Sequence, residues 1–200
     1  MKLSIIAAAA LAITWLCACC PDQAQQTQTM NKDFMEIAAQ RYSVRHFAST
    51  PVEQEKIDLI IEAGRLAPTA INSQPQMVFV IQSQEKMEKL QTLSPCVYGA
   101  PHAFLFCYNK DTVCPRGDND NYGDIDVTIV LTHMMLEAAN LGVGTCPVGY
   151  FDHEKIVAEL GLPDNVVPVL LMPFGYAADD AVPSPRHTEY RPVEETVAFI

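Results

Sequence analysis

Apolar positions change their period several times along this chain, and each change marks a predicted element. Leu3 to Leu16 is an apolar run broken only by Ser4 and Thr14. A first helix is predicted from about Asn31 to Gln40. A second is marked by Thr50 as cap, Pro51 at the first helical position and Glu53 completing a capping box. Its Ile57, Ile60, Ile61 and Gly64 recur at helical spacing and form a buried face, and Pro68 ends it. Met77 to Ile81 reads as a fully buried strand. Ser83 to Leu93 is helical, with Met87 and Leu90 inward, and Ala103 to Tyr108 is a second strand. Asp111 to Tyr122 is polar and irregular, with the character of a mobile loop.

Asp124 to Leu141 is the longest predicted helix. Its apolar stripe is drawn through Ile125, Ile129, Thr132, Met135, Leu136 and Ala139, with Ala138 and Ala139 allowing close packing, and Gly142 terminates it. Asp152 to Leu160 is a short helix closed by Gly161. Val166 to Phe174 is a third buried strand, which Pro168 and Pro173 require to be an edge or to be bulged. Residues 177–200 form an arm-like tail with no core pattern of its own. The whole predicts an α+β fold with a single domain over 31–200.

The N-terminal run is too short to cross a bilayer comfortably and has the form of a secretory signal. It ends in Leu16-Cys17-Ala18-Cys19-Cys20, which resembles a bacterial lipobox with Cys19 as the lipidated residue. Residues 1–19 are therefore expected to be a signal peptide and 20–30 a Gln/Thr-rich tether. That implies an exported protein on a bacterial envelope membrane, touching it through the lipid alone. An ordinary cleaved signal is the alternative.

The formal charge of −11 argues against nucleic acid or an anionic membrane surface as partner. Of seven cysteines, Cys96, Cys107, Cys114 and Cys146 lie outside the signal region. They show no CxxC spacing; export would permit one disulfide pair, and buried or solitary thiols are the favoured reading. The five histidines form no HExxH and no His/Cys cluster, so no metal site is expected.

The chemistry concentrates in Arg41-Tyr42-Ser43-Val44-Arg45-His46-Phe47. In an extended segment Arg41, Ser43 and Arg45 point to one side and Tyr42 and Val44 to the other. Two guanidinium groups and a hydroxyl suit a phosphate or another delocalised anion. A strand with merely solvated arginines fits the pattern equally well.

In combination the pieces resemble the FMN-dependent nitroreductase family over roughly residues 33–200. The resemblance rests on Arg41-x-Ser43-x-Arg45-x-Phe47 and on Ala67-Pro68-Thr69-Ala70-Ile71-Asn72-Ser73-Gln74-Pro75. It rests also on the long helix leading into Leu141-Gly142-Val143-Gly144-Thr145-Cys146 with Gly149-Tyr150-Phe151-Asp152 after it. The last motif is Phe174-Gly175-Tyr176 with Pro185-Arg186 and Arg191-Pro192-Val193-Glu194-Glu195.

The resemblance implies a mixed, largely antiparallel sheet flanked by helices, in an intertwined homodimer. It implies that Arg41, Tyr42 and Ser43 belong to the cofactor site, with Arg41, Ser43 and Arg186 on the FMN phosphate and ribityl chain. Arg45 matches the residue at the flavin N1/O2 edge. Pro68, Thr69, Ala70, Asn72 and Gln74 match a loop reaching the flavin of the other subunit. Gly149 and Tyr150 match a turn whose backbone faces flavin N5. Gln76, Ser184 and Pro147 depart from the family pattern; Ser184 leaves one phosphate charge fewer.

The implied activity is hydride transfer through flavin N5 from NADH or NADPH to a nitroaromatic, quinone or similar small acceptor. No side-chain catalyst is required, because the cofactor carries the chemistry. Relatives mostly meet nicotinamides in the cytoplasm, so export leaves two other readings open. One is dehydrogenation of an exported small substrate with oxygen or a quinone as oxidant. The other is a non-catalytic surface flavin-binding protein.

Overall fold

The computed structural model describes residues 33–200; the signal, the tether, Cys19 and the expected helix start at Asn31 lie outside them. Nine elements follow in order: α1 (Phe34–Gln40), α2 (Gln54–Arg65), β1 (Gln76–Ile81), α3 (Gln84–Leu93), β2 (His102–Asn109), α4 (Gly123–Asn140), β3 (Gly144–Thr145), α5 (His153–Leu160) and β4 (Val166–Gly175). The strands form one sheet in the order β1-β2-β4-β3. All three pairings are antiparallel, and the parallel component is a single bridge from Ser43 to Thr145. The fold is α+β, as the sequence predicts.

The register of β2 explains the layering. Phe104 and Phe106 enter one core with α2 and α4, while Ala103, Leu105 and Cys107 enter a second with α3 and α5. Period-2 alternation therefore feeds two helical layers from one strand. On the first face Gly64 lets α2 approach α4: a Cβ there would lie 2.7 Å from the Met134 side chain.

Three of the helix starts are local chemistry. Asp33, Ser83 and Asp152 each accept a backbone N–H in the first turn of α1, α3 and α5. Gly161 closes α5 with φ 66°.

Four sequence expectations are corrected. Thr50 is not the cap of α2: the helix begins at Gln54 after Glu53, whose backbone is extended and whose carboxylate accepts instead from the Tyr176 hydroxyl. Ile61 points outward, so the buried face of α2 is Ile57, Ile60 and Gly64. The strand at 77–81 is only half-buried apart from Ile81, because β1 is an edge. The buried stripe of α4 is Asp126, Val127, Val130, Leu131, Met134 and Ala138, not the one through Ile125, Ile129, Thr132, Met135, Leu136 and Ala139.

The prolines of β4 also have a physical answer. The strand is central, not an edge, and carries the bulge: Phe106 pairs with Leu170 while Cys107 pairs with Pro168. Pro173 lacks only its donor, since its carbonyl still accepts from the Cys146 N–H at 3.2 Å.

Candidate functional site

The segment 41–47 crosses the end of the sheet beside β3. The Val44 N–H donates to the Thr145 carbonyl at 2.9 Å, which completes the parallel bridge at Ser43. Gly144 permits this approach: a Cβ there would meet the Val44 side chain at 2.7 Å. Val44 and Phe47 are buried with Ala100, and Tyr42 packs on the same cluster. Tyr42 and Val44 thus turn inward together, as period two requires.

The other side of the segment is polar. Burial pushes the Cys146 thiol up, while the Arg45 guanidinium, the Ser43 hydroxyl and the Arg41 guanidinium act against that rise. Arg41, Ser43 and Arg45 therefore share the neighbourhood of one buried thiol. Arg45 Nη1 also donates to the Ser43 carbonyl at 3.4 Å. Arg41 and Tyr42 line, with Val44, Ala139 and residues 142–145, a cleft of about 200 Å³ between α1 and the end of α4.

Arg186 sits in a single 3₁₀ turn, Pro185–Thr188, whose start is held by Ser184 Oγ accepting from the Arg186 N–H at 3.3 Å. His187 in that turn meets Tyr42 edge-on, with ring centroids 6.2 Å apart. The tail thus returns to the 41–45 segment. Among the described residues Arg41, Arg45 and Arg186 form no ion pair, whereas Arg65 and Arg116 each do. Arg191, further along the exposed tail, forms none either; what sets Arg41 and Arg45 apart is their place on the segment bridged to β3.

Gly149 and Tyr150 form an exposed turn before α5. A Cβ at Gly149 would meet only Leu170, at 3.7 Å, so this chain's own packing does not require the glycine. The turn is fastened by Ser94, which the sequence did not single out. Its buried hydroxyl donates to the Tyr150 carbonyl at 2.6 Å and accepts from the Cys96 N–H at 3.2 Å.

The Pro68–Gln74 loop lies elsewhere. Thr69 Oγ1 accepts from the Gln74 N–H at 3.0 Å, and the Ala70 N–H donates to Asp126 Oδ1 at 2.9 Å. Asn72 and Gln74 are exposed at its surface. The loop is anchored at the first turn of α4, while the 41–45 segment is near the last. The thirteen steps from Asp126 to Ala139 span about 20 Å at 1.5 Å per residue. One protomer therefore holds the two groups of expected site residues apart.

The sequence missed Asp126 as well. An acid between Ile125 and Val127, two residues after Asp124, reads as solvent-facing, and its backbone partner lies 56 residues away. Its place in the first turn of a long apolar helix is the available signal, since the positive end of the helix dipole favours a carboxylate there.

Comparison with known proteins identifies the family. The Nitroreductase family model matches residues 38–97 and 92–176. That range includes Arg41 to Arg45, the 68–74 loop and the Gly149 turn, and ends before Arg186. The crystal structure of a nitroreductase family protein from Clostridium difficile 630 is 38% identical, with a TM-score of 0.79, and the match covers 84% of this chain and 98% of that one. The FMN reductase (NAD(P)H) of Bacillus subtilis is 30% identical over 176 residues, 78% of this chain and 70% of that protein. An NADPH-dependent oxidoreductase of Staphylococcus epidermidis is 25% identical over 169 residues, 76% of this chain and 67% of that protein. With the family pattern carried across residues 38–176 and the fold shared with the clostridial protein, this chain belongs to the nitroreductase family.

Proposed function

We propose that the protein binds FMN and is an oxidoreductase that passes reducing equivalents from NADH or NADPH to a small acceptor such as a nitroaromatic or quinone. The observation that carries this reading is the placing of Arg41, Ser43 and Arg45, without ion pairs among the described residues, on one short segment bridged to the end of the sheet, with Arg41 lining the cleft beside it. That donor set fits a single terminal phosphate and an electron-rich ring edge. Bound FMN would supply the redox chemistry at N5.

The chain's own residues would bind and orient it. Arg41, Ser43 and Arg186 would hold the phosphate, and Tyr42 would support that end from the Val44–Phe47 cluster. Arg45 would place a fixed cation beside the ring edge where charge gathers. Gly149, unneeded by the internal packing, leaves room for the Gly149–Tyr150 backbone to approach a ring face.

The loop of Pro68, Thr69, Ala70, Asn72 and Gln74 would come from a second protomer. Support for a homodimer lies in α4. In a two-fold pair with antiparallel α4 helices, the Asp126 end of one lies beside the Ala139 end of the other. The stripe through Ile125, Ile129, Thr132, Met135, Leu136 and Ala139 is not fully buried in one chain and offers such a helix an apolar face.

The test is flavin content. The purified protein should carry FMN, identified by chromatography of the released flavin. Arg41→Ala removes one charge-assisted contact, with an expected loss of about 1.5–3 kcal/mol, or roughly 10- to 100-fold in affinity. Equal FMN binding by this variant would show that Arg41 does not hold the phosphate.

From the sequence alone, we also propose export and lipid attachment at Cys19. Mass spectrometry of the native N-terminus should find an acylated Cys19. An unmodified terminus at Cys20 or beyond would rule the anchor out.

A further inference from the structure

Backbone strain and unfinished hydrogen bonding gather in one segment. Four non-glycine residues among those described have positive φ, and three of them are Ile71 (49°), Asn72 (57°) and Gln74 (47°). Four buried side-chain polar atoms among the described residues lack a partner; one belongs to Ser73 in this segment, one to Asp126 bonded to it, and one to Gln76, which opens β1 just after it. Ile71 is the sharpest case. A β-branched residue resists the left-handed region, yet here it is 86% exposed, so its burial does not repay the strain. Strain of this kind persists where the surroundings over-determine the conformation, and it concentrates at functional sites.

What over-determines this loop can be read from its bonds. The Thr69 hydroxyl closes it internally by accepting from the Gln74 N–H. Of its hydrogen bonds to the rest of the chain before Pro75, the Ala70 N–H to Asp126 Oδ1, at 2.9 Å, is the one that reaches α4. Asp126 is 1% exposed, and its Oδ2 has no partner. A buried carboxylate with half its acceptor capacity unused is costly, and α4 bears that cost at its first turn, where the helix dipole offsets part of it. For packing alone an apolar residue at 126 would serve better.

We propose that Asp126 is a positioning residue: it locks the strained Thr69–Gln74 loop in the form that presents Thr69 and Asn72 to the flavin of the partner protomer. This inference rests on the reading of the loop as part of an FMN site. Asp126 touches neither substrate nor cofactor. Its part is to keep the loop from relaxing Ile71 and Asn72 into ordinary backbone regions, which would turn the tip away.

The experiment uses the full-length protein, with FMN affinity read by titration of the flavin-free form and bound-flavin environment read by visible circular dichroism. Asp126→Asn keeps an Oδ1 acceptor for the Ala70 N–H. It should bind within about threefold of wild type, with an unchanged spectrum. Asp126→Ala removes the acceptor and should weaken binding by about tenfold or more, the size expected for a hydrogen bond to a charged group.

Ala70→Pro removes the same bond from the loop side. The preceding Thr69 has φ −131° and ψ 160°, which a following proline accepts, so this variant reports even if Asp126→Ala fails to fold. It should match Asp126→Ala, and the double variant should lose no more than either single one.

If Asp126→Ala and Ala70→Pro melt earlier but bind FMN with wild-type affinity and spectrum, Asp126 is only a packing residue and the inference is wrong. Loss of binding in Asp126→Asn equal to that in Asp126→Ala would also overturn it. A wild-type protein that takes up no FMN would instead refute the site reading beneath it.

Discussion

Truncation after Arg191 removes Pro192 to Ile200 and leaves Arg186 in place. Within the protomer this deletion should cost almost nothing. Every residue from 192 to 200 is exposed, and the hydrogen bonds of the segment are local, such as the Val197 N–H to the Val193 carbonyl at 2.8 Å. Phe199 is 98% exposed, Val193 63% and Val197 49%, while Ile200 is wholly open. If a partner covers these four side chains, each contributes about 1.5–3 kcal/mol on full burial. Frozen rotamers take back roughly 0.5–1 kcal/mol apiece. Val197 starts half covered, so the sum falls toward the lower end.

Even about 3 kcal/mol per tail is some two decades in the dimer constant, and a symmetric pair has two tails. Sedimentation velocity should show the truncated chain dissociating at micromolar concentration. The flavin-to-protein ratio, read from visible absorbance, should fall with it. A truncated protein that stays dimeric with full flavin would refute the claim that the tail holds two protomers around the site.

Two further predictions concern titrating groups. Burial lowers the pKa of His102 below its ordinary 6.5, so the folded state binds fewer protons than the unfolded chain. Its stabilising effect is complete above 6.5 and is lost as pH falls toward the depressed folded value. His102→Phe should flatten the dependence of the melting temperature on pH below 6.5; an unchanged slope would show that another group sets it. Cys107, on β2, is buried in the core shared with α3 and α5, and burial pushes its thiol up to about 12. An alkylating reagent at pH 8 should therefore label Cys114 in the native protein and reach Cys107 only on unfolding, and equal labelling rates would contradict that burial.

Elements whose signals are local were legible in the sequence. The helices expected from Ser83 and from Asp152 form, with those two residues serving as caps just outside them, and Gly161 closes α5 at a positive φ as expected. The alternation of Arg41, Ser43 and Arg45 against Tyr42 and Val44 survived because a β bridge at Ser43 enforces period two.

The errors share a cause in long-range contacts. Helix α4 is apolar almost all round, so periodicity alone could not say which side faces its own core. The stripe chosen from sequence is the side left less covered in one chain. Glu53 was read as part of a capping box, but Tyr176, 123 residues on, takes its carboxylate. Asp126 and Ser94 were invisible for the same reason: each acts on a backbone group 56 residues distant. The Ile71 conformation had no glycine to announce it, because tertiary bonds hold it.

The central claim is that this protein moves electrons from a nicotinamide to a small acceptor through bound FMN. The most direct test is anaerobic titration of the FMN-loaded protein with NADH and with NADPH, followed at the visible absorbance band of the oxidised flavin. The account predicts stoichiometric bleaching by at least one nicotinamide and recovery of the band on adding a quinone or nitroaromatic. A flavin that either nicotinamide leaves oxidised would contradict it.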